Sequence, residues 1–126
     1  ATGSTLWVDA EADLDAVTAL SGSGPAYVFY FLEAMMQAAA QMGLSAEVGR
    51  RLALATFSGA TALAEASPEA PAVLRDRVTS IGGTTHAALL ALEQHGVKAA
   101  FVEALNAARQ RASELGDQFG GGPPPA

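Results

Sequence analysis

The stretch Ser23-Gly24-Pro25-Ala26-Tyr27-Val28-Phe29-Tyr30-Phe31-Leu32 begins the most apolar helix that the sequence predicts. We expect Ser23 to cap this helix and Pro25 to lie in its first turn, where the missing N–H of proline costs nothing. The helix should continue to Met42 and end at Gly43, a common helix terminator. Apolar side chains surround almost its whole circumference. Polar residues, each four positions apart, form one narrow line on a single face: Glu33, Gln37 and Gln41.

A helix that is apolar nearly all round has to be buried on all sides. A chain of 126 residues has few other helices with which to cover it. We therefore expect an obligate homodimer with this helix near its centre, in which folding and association are linked. The alternative is a compact monomer in which the same helix is central. We expect the polar line to lie at the solvent edge rather than to form a buried polar seam.

The rest of the sequence also predicts helices, with no strand-like alternation of any length. Leu6-Trp7-Val8 could form one short strand or an extended lead-in, and the glycine- and proline-rich end from Gly120 onwards is expected to be disordered. The other expected helices are Ala10 to Leu20, a third capped by Ser45 and reaching Ala66, Pro71 to Val78, Thr84 to His95 before Gly96, and Lys98 to Leu115, closed by Gly116.

Composition excludes several classes of function. The net charge of −6 and the lack of a basic cluster argue against nucleic acid or an anionic membrane as partner. Without cysteine there is neither a disulfide nor a thiolate metal site. His86 and His95 are too far apart for a helical ligand pair, so we expect no metal. The longest apolar stretch is too short for a membrane span, and we expect a cytoplasmic protein.

The run Val78-Thr79-Ser80-Ile81-Gly82-Gly83-Thr84-Thr85 joins two predicted helices. Glycine lets the backbone approach a ligand closely, and a helix N-terminus offers unpaired N–H groups with a partial positive charge. This combination suits a carboxylate or a phosphate. The alternative is an ordinary helix–loop–helix joint with threonine as N-cap. The neighbouring Arg75 and Arg77 could attract an anion or could simply be solvated, since Asp76 between them offsets their charge.

The segment Gly22-Ser23-Gly24 does not fit a dinucleotide-binding pattern. A predicted helix rather than a strand precedes it, and Tyr27 stands where the third glycine would be. Ser23 also lacks a partner base that would make it a nucleophile. The segment predicts a tight turn between two helices.

Two long motifs, residues 15–27 and 74–85, resemble pyrroline-5-carboxylate reductase. The similarity continues through residues 92–97 and 101–111, and it covers Trp7 to Leu115 in one register. That family reduces 1-pyrroline-5-carboxylate to L-proline. An N-terminal Rossmann domain holds NADP or NAD, and a C-terminal helical domain forms the dimer and completes the active site. The present sequence resembles only the helical domain.

The resemblance implies an all-α helical bundle, similar to the C-terminal domain of 6-phosphogluconate dehydrogenase, that interlocks with its twin as a homodimer. Residues 1–8 would be a lead-in from a missing Rossmann domain, 9–116 the dimerisation and substrate-binding domain, and 117–126 a disordered tail. The chain alone would then hold no cofactor and be inactive, and assemblies larger than a dimer stay open. The alternative function is a helical interaction or oligomerisation module without catalysis.

The resemblance also assigns the site. Backbone N–H groups of Gly82, Gly83 and Thr84 would converge on the substrate carboxylate. The Thr85 hydroxyl would act as the catalytic group beside the ring nitrogen, holding the imine and supporting its protonation; its alternative role is helix capping alone. The expected substrate-binding residues are Ser80, Gly82, Gly83, Thr84 and Thr85.

One residue of the loop departs from the family pattern. Ile81 stands where the family usually has proline, which would fix φ and stiffen the loop. We therefore predict a less preorganised loop, and a lower Michaelis constant for pyrroline carboxylate when Ile81 is replaced by proline in a full-length enzyme.

Overall fold

The structure, a computed structural model, describes residues 11–119, except for the side chain of Phe119. All regular secondary structure in this range is helical, which confirms the expected all-α class. The regions of Leu6-Trp7-Val8 and of residues 120–126 lie outside the described part. The elements are α1 (Glu11–Val17), a π-helix (Thr18–Gly22), α2 (Gly24–Gln41), α3 (Ala46–Ala66), α4 (Pro71–Arg77), α5 (Thr84–Gln94) and α6 (Val97–Phe119).

Local chemistry sets most of the helix ends where the sequence predicts them. Gly43 follows α2 with a φ of 93°, and Gly96 follows α5 with a φ of 64°. These positive values are the left-handed conformation that glycine adopts without steric cost. At the start of α3, the Ser45 hydroxyl accepts a hydrogen bond from the Val48 N–H at 3.2 Å. The predicted cap of α3 is therefore confirmed.

The joint between the first two helices differs from the prediction. The chain passes through a π-helix, in which the Ser23 N–H donates to the Thr18 carbonyl at 2.8 Å, five residues back. Ser23 has φ −87° and ψ −15°, which is helical backbone. An N-cap residue is normally extended, and that conformation brings its side-chain oxygen over the first turn. The expectation that Ser23 caps α2 is wrong, because one helix continues almost directly into the next.

The last helix is longer than predicted, because Gly116 does not close it. α6 continues to Phe119, so residues 117–119, expected in the tail, form its final turn. Gly116 keeps a helical conformation, and a Cβ built there would lie 3.7 Å from Oε1 of Glu11. Glycine inside a helix costs only about 1 kcal/mol relative to alanine, which a helix of this length tolerates.

The described residues divide into two compact units, one made of residues 11–27 and 98–119, and one of Val28–Val97. In the first unit, the Tyr27 hydroxyl donates to the Ala19 carbonyl at 2.9 Å. The Tyr27 ring packs edge-on against Phe101, with ring centroids 5.7 Å apart. Ala19, only 3% exposed, is the buried hydrophobic residue of this unit among those described. Tyr27 therefore ties the π-helix to α6.

In the second unit, α2 and α3 approach each other at small residues. A Cβ added to Gly49 would lie 3.0 Å from the Ala39 methyl group, so the contact has no room for a larger side chain. Gly49 and Ala53 are the buried residues of α3. Small residues at a crossing let two helix backbones come close, but they bury little apolar area.

Several large apolar side chains of α2 are left exposed by their own chain. No residue of α2 is buried, and Phe29 and Tyr30 are 61% and 68% exposed. Met42, which directly follows α2, is 79% exposed. The polar line of Glu33, Gln37 and Gln41 is exposed as well. The alternative of a compact monomer around this helix is therefore wrong. No helix in the described range is long and apolar enough to cross a membrane.

Candidate functional site

The loop between α4 and α5 contains a tight turn. The Gly83 N–H donates to the Ser80 carbonyl at 2.9 Å. Gly82, the third residue of this turn, has a φ of 80°. A four-residue turn with this hydrogen bond and a positive φ at its third position is a type II β-turn. The Thr79 hydroxyl donates to the Arg75 carbonyl at 2.6 Å, which fixes the end of α4 just before the turn.

Each glycine of the pair has a separate structural reason. Gly82 needs the left-handed backbone that other residues adopt only at a cost. A Cβ on Gly83 would lie 3.2 Å from the Ser80 carbonyl oxygen, tighter than an ordinary contact. The glycine pair is therefore required by the shape of the turn itself.

Two of the three N–H groups that we expected to face a ligand are used within the loop. The Gly83 N–H closes the turn onto Ser80, and the Gly82 N–H donates to Nδ1 of His86 at 2.9 Å. The expectation that Gly82 and Gly83 offer free donors is wrong for this structure. The Gly83 N–H closes the turn, and the Gly82 N–H donates to the ring of His86, four residues later.

The available donors lie one step further along the chain. The first backbone bond of α5 runs from the Ala87 N–H to the Gly83 carbonyl at 3.1 Å. The N–H groups of Thr84, Thr85 and His86 therefore precede the first intrahelical donor and have no acceptor within the helix, as at any helix start. Gly83 occupies the N-cap position with extended backbone, φ −87° and ψ −176°, and without a side-chain cap.

The hydroxyl groups of the loop are also available. Within residues 11–119, the side chains of Ser80, Thr84 and Thr85 make no hydrogen bond. Ser80 and Thr84 are exposed, whereas Thr85 is half-buried. The alternative in which threonine only caps the helix is not what the structure shows, because glycine holds the N-cap position.

The charged residues beside the loop have different surroundings. Arg77 pairs with Glu69 at 3.0 Å, which satisfies its charge on α4. Arg75 instead lines a cleft of about 330 Å³ between α4 and α5, together with Asp76, Thr79 and His86. Asp76 offsets the charge of Arg75 in this cleft, so the positive end of α5 is the main attraction for an anion at the loop.

Comparison with known proteins agrees with this architecture. Residues 11–115 match the family described as pyrroline-5-carboxylate reductase dimerisation. The chain belongs to this family. It is 51% identical over 120 residues to pyrroline-5-carboxylate reductase of Pseudomonas aeruginosa, covering 95% of this chain and 44% of that protein. It is 44% identical over 107 residues to the Corynebacterium melassecola enzyme, covering 85% of this chain and 40% of that protein.

Solved structures show the same likeness. The chain matches the Coxiella burnetii pyrroline-5-carboxylate reductase with a TM-score of 0.83 and 43% identity, covering 87% of this chain and 41% of that one. It matches the Plasmodium falciparum pyrroline carboxylate reductase, solved with NADP bound, with a TM-score of 0.82 and 34% identity. This match covers 85% of this chain and 41% of that one. The chain thus spans about two fifths of the length of the relatives it matches, and its fold is that of their helical dimerisation region.

Sequence reasoning missed the role of His86, which we considered only as a histidine too far from His95 to form a metal-ligand pair. A signal was present in its position. His86 is the third helical residue after the N-cap, where a glutamate or glutamine in a capping box reaches back to a free N–H. Here an imidazole nitrogen does so instead.

Proposed function

We propose that this chain is the dimerisation and substrate-binding part of a pyrroline-5-carboxylate reductase, an enzyme of proline biosynthesis. The whole enzyme would reduce 1-pyrroline-5-carboxylate to L-proline with NADH or NADPH. Membership of the dimerisation family supports this proposal. The single observation that carries the substrate role is the set of available N–H groups on Thr84 and Thr85, directly after a glycine turn held by two hydrogen bonds.

In this proposal the start of α5 binds the substrate carboxylate. The N–H groups of Thr84 and Thr85 would donate to its oxygens, and the Ser80 hydroxyl would add a third donor. Hydrogen bonds to a charged group contribute about 1.5–3 kcal/mol each when sheltered from water. The helix dipole adds a further attraction for negative charge. Gly82 and Gly83 would serve binding by shaping the turn rather than by donating.

The Thr85 hydroxyl is the proposed catalytic group. In the family resemblance it lies beside the ring nitrogen of the substrate, where it would hold the imine in line and support protonation of the nitrogen. The structure supplies two properties that suit this role: the hydroxyl has no partner within residues 11–119, and the residue is half-buried. Water competes less for a partly sheltered hydroxyl, so its hydrogen bond to the substrate would be stronger.

The described residues do not form a dinucleotide site. Residues 11–119 contain no β-strand, and Gly22-Ser23-Gly24 joins a π-helix to α2. The strand, glycine turn and helix that receive a dinucleotide pyrophosphate are therefore not found in this range. NAD(P)H supplies the hydride in the family's reaction. The inactivity of the chain by itself and its cytoplasmic location stay predictions.

A homodimer is the proposed state of the chain. The apolar side chains that α2 leaves exposed would be buried by the same helix region of a second copy, in agreement with the family description. A non-catalytic interaction module would use the same dimer. The loop favours the reductase, because available N–H groups of Thr84 and Thr85 lie beside hydroxyls that have no partner within residues 11–119.

The test is an NMR titration of the isotope-labelled chain with L-proline, the product of the proposed reaction. We expect the amide signals of Thr84 and Thr85 to shift and to saturate at millimolar ligand. L-Prolinamide, which keeps the ring but lacks the carboxylate, should leave them in place at the same concentration. Equal shifts with both ligands, or none with either, would favour the non-catalytic module.

A further inference from the structure

His86 holds the loop through its side chain, which none of the proposed substrate-binding residues does. Its Nδ1 accepts a hydrogen bond from the Gly82 N–H at 2.9 Å, and its ring is half-buried. The bond connects the first turn of α5 to the residue of the β-turn that has a positive φ. The loop residue with a positive φ is thus held by a side chain.

The arrangement is a variant of a capping box. In that motif, the third helical residue bonds back to the N-cap N–H. Here the N-cap is Gly83, whose N–H already donates to Ser80, and the imidazole Nδ1 accepts from the next N–H outwards, that of Gly82. Both glycine N–H groups are therefore fixed, one to each side of the loop.

We propose that His86 is a positioning residue for the carboxylate-binding loop, which acts by holding the Gly82 N–H and so fixing the turn that precedes Thr84 and Thr85. This inference rests on the proposed function of the loop. His86 would not act through its own ring on the substrate. Its effect is to reduce the conformations that Ser80 and the start of α5 have to lose when a ligand binds.

The bond requires a particular protonation state of the ring. Nδ1 accepts only when it carries no proton, so the proton of the neutral ring is on Nε2. Protonation of Nδ1 removes the acceptor and releases the Gly82 N–H. The charged groups that share the cleft with the ring are Arg75 and Asp76 from α4 and Glu93 from α5.

The test compares three variants of the chain by NMR: H86A, which removes the acceptor, H86Q, which replaces it with an amide oxygen, and H95Q as the matched control at the other end of α5. In the wild type, the bond to His86 should protect the Gly82 amide from hydrogen exchange. H95Q should keep this protection, and H86Q should keep most of it. At a pH where the ring is neutral, H86A should raise Gly82 hydrogen exchange about fivefold, equivalent to ~1 kcal/mol for a net hydrogen bond. Exchange unchanged in H86A would overturn the proposal.

A second measurement links the bond to the ligand. L-Proline should bind H86A about two- to fivefold more weakly than the wild type, and H86Q should recover most of the loss, as expected when one net hydrogen bond fixes the loop. Equal affinity of H86A and the wild type would refute the positioning role while leaving the proposed function intact. If L-proline binds neither protein, the proposed function fails and the positioning role fails with it. The exchange data on the unliganded chain would then still report the bond alone.

Discussion

Replacing Ile81 by proline is expected to stiffen the loop and to tighten ligand binding. Ile81 is the second residue of the turn that the Gly83 N–H closes onto Ser80 at 2.9 Å, and Gly82, with φ 80°, is the third. Type II turns favour proline at their second position because its fixed φ matches the turn. The Ile81 side chain is 96% exposed. Its N–H makes no hydrogen bond within residues 11–119, so proline removes no contact there.

The size of the effect follows from the conformational freedom that proline removes from the unfolded chain and from the loop without ligand. A compatible proline stabilises a folded protein by about 0.4–1 kcal/mol, because the open chain loses conformational freedom. If ligand binding requires the same ordering of the loop, this corresponds to roughly a two- to fivefold gain in affinity. We therefore expect the free energy of unfolding of the chain to rise, and the Michaelis constant for pyrroline carboxylate in a full-length reductase to fall by that factor.

The assay pairs Ile81→Pro with Ile81→Ala, which removes the same exposed side chain without fixing φ. Urea unfolding and L-proline titration of the chain would be measured for both variants, together with the Michaelis constant of the full-length enzyme. Only the proline variant should gain. A lower free energy of unfolding, or an unchanged or raised Michaelis constant, would refute the reasoning, since it would mean that the turn does not accept the φ of proline.

Three further predictions test the loop, the first unit and the dimer. Gly82→Ala should lower the free energy of unfolding by about 1–2 kcal/mol in urea unfolding, because the φ of Gly82 is 80°. Gly59→Ala, at an open position inside α3, should raise it by about 0.5–1 kcal/mol in the same assay. A similar response from both variants would contradict this reasoning. Tyr27→Phe leaves a buried carbonyl without its donor and should cost about 1–3 kcal/mol, with no change as the contrary result. Phe29→Glu should shift the chain from dimer towards monomer in light scattering, while Gln37→Glu should not; a dimer that survives Phe29→Glu would place that helix face outside the interface.

The helix ends could be predicted from sequence because their causes are local. Gly43 and Gly96 adopt positive φ, and the Ser45 hydroxyl accepts from a first-turn N–H. The π-helix could not be predicted, since one extra residue in a helical hydrogen-bond ladder has no signature in the composition. The bond from the Tyr27 hydroxyl to the Ala19 carbonyl joins residues eight positions apart, so it is not visible in a local pattern either. Gly116 shows the limit of the glycine rule, because the rule applies only where the backbone takes positive φ.

The candidate site was predictable in its location but not in its donors. Glycines followed by threonines predict a loop before a helix, and the structure has one between α4 and α5. Which N–H groups stay available depends on how the loop closes on itself. The Gly82 N–H is used by His86 and the Gly83 N–H by Ser80. Both partners are common residue types, and only the three-dimensional geometry shows that they are acceptors here.

The loop and the fold depend on different interactions, which makes them separable by experiment. The turn is held by short-range bonds within Ser80–Ala87, none of which needs a second chain. The buried hydrophobic residues among those described are only Ala19 and Ala53, whereas Phe29 and Tyr30 are exposed. A large apolar side chain contributes about 1.5–3 kcal/mol on full burial, far more than an alanine methyl group. In the proposed homodimer, most of the stability would therefore come from association and should rise with chain concentration. Substitutions within the loop should change ligand affinity without changing the proposed dimer.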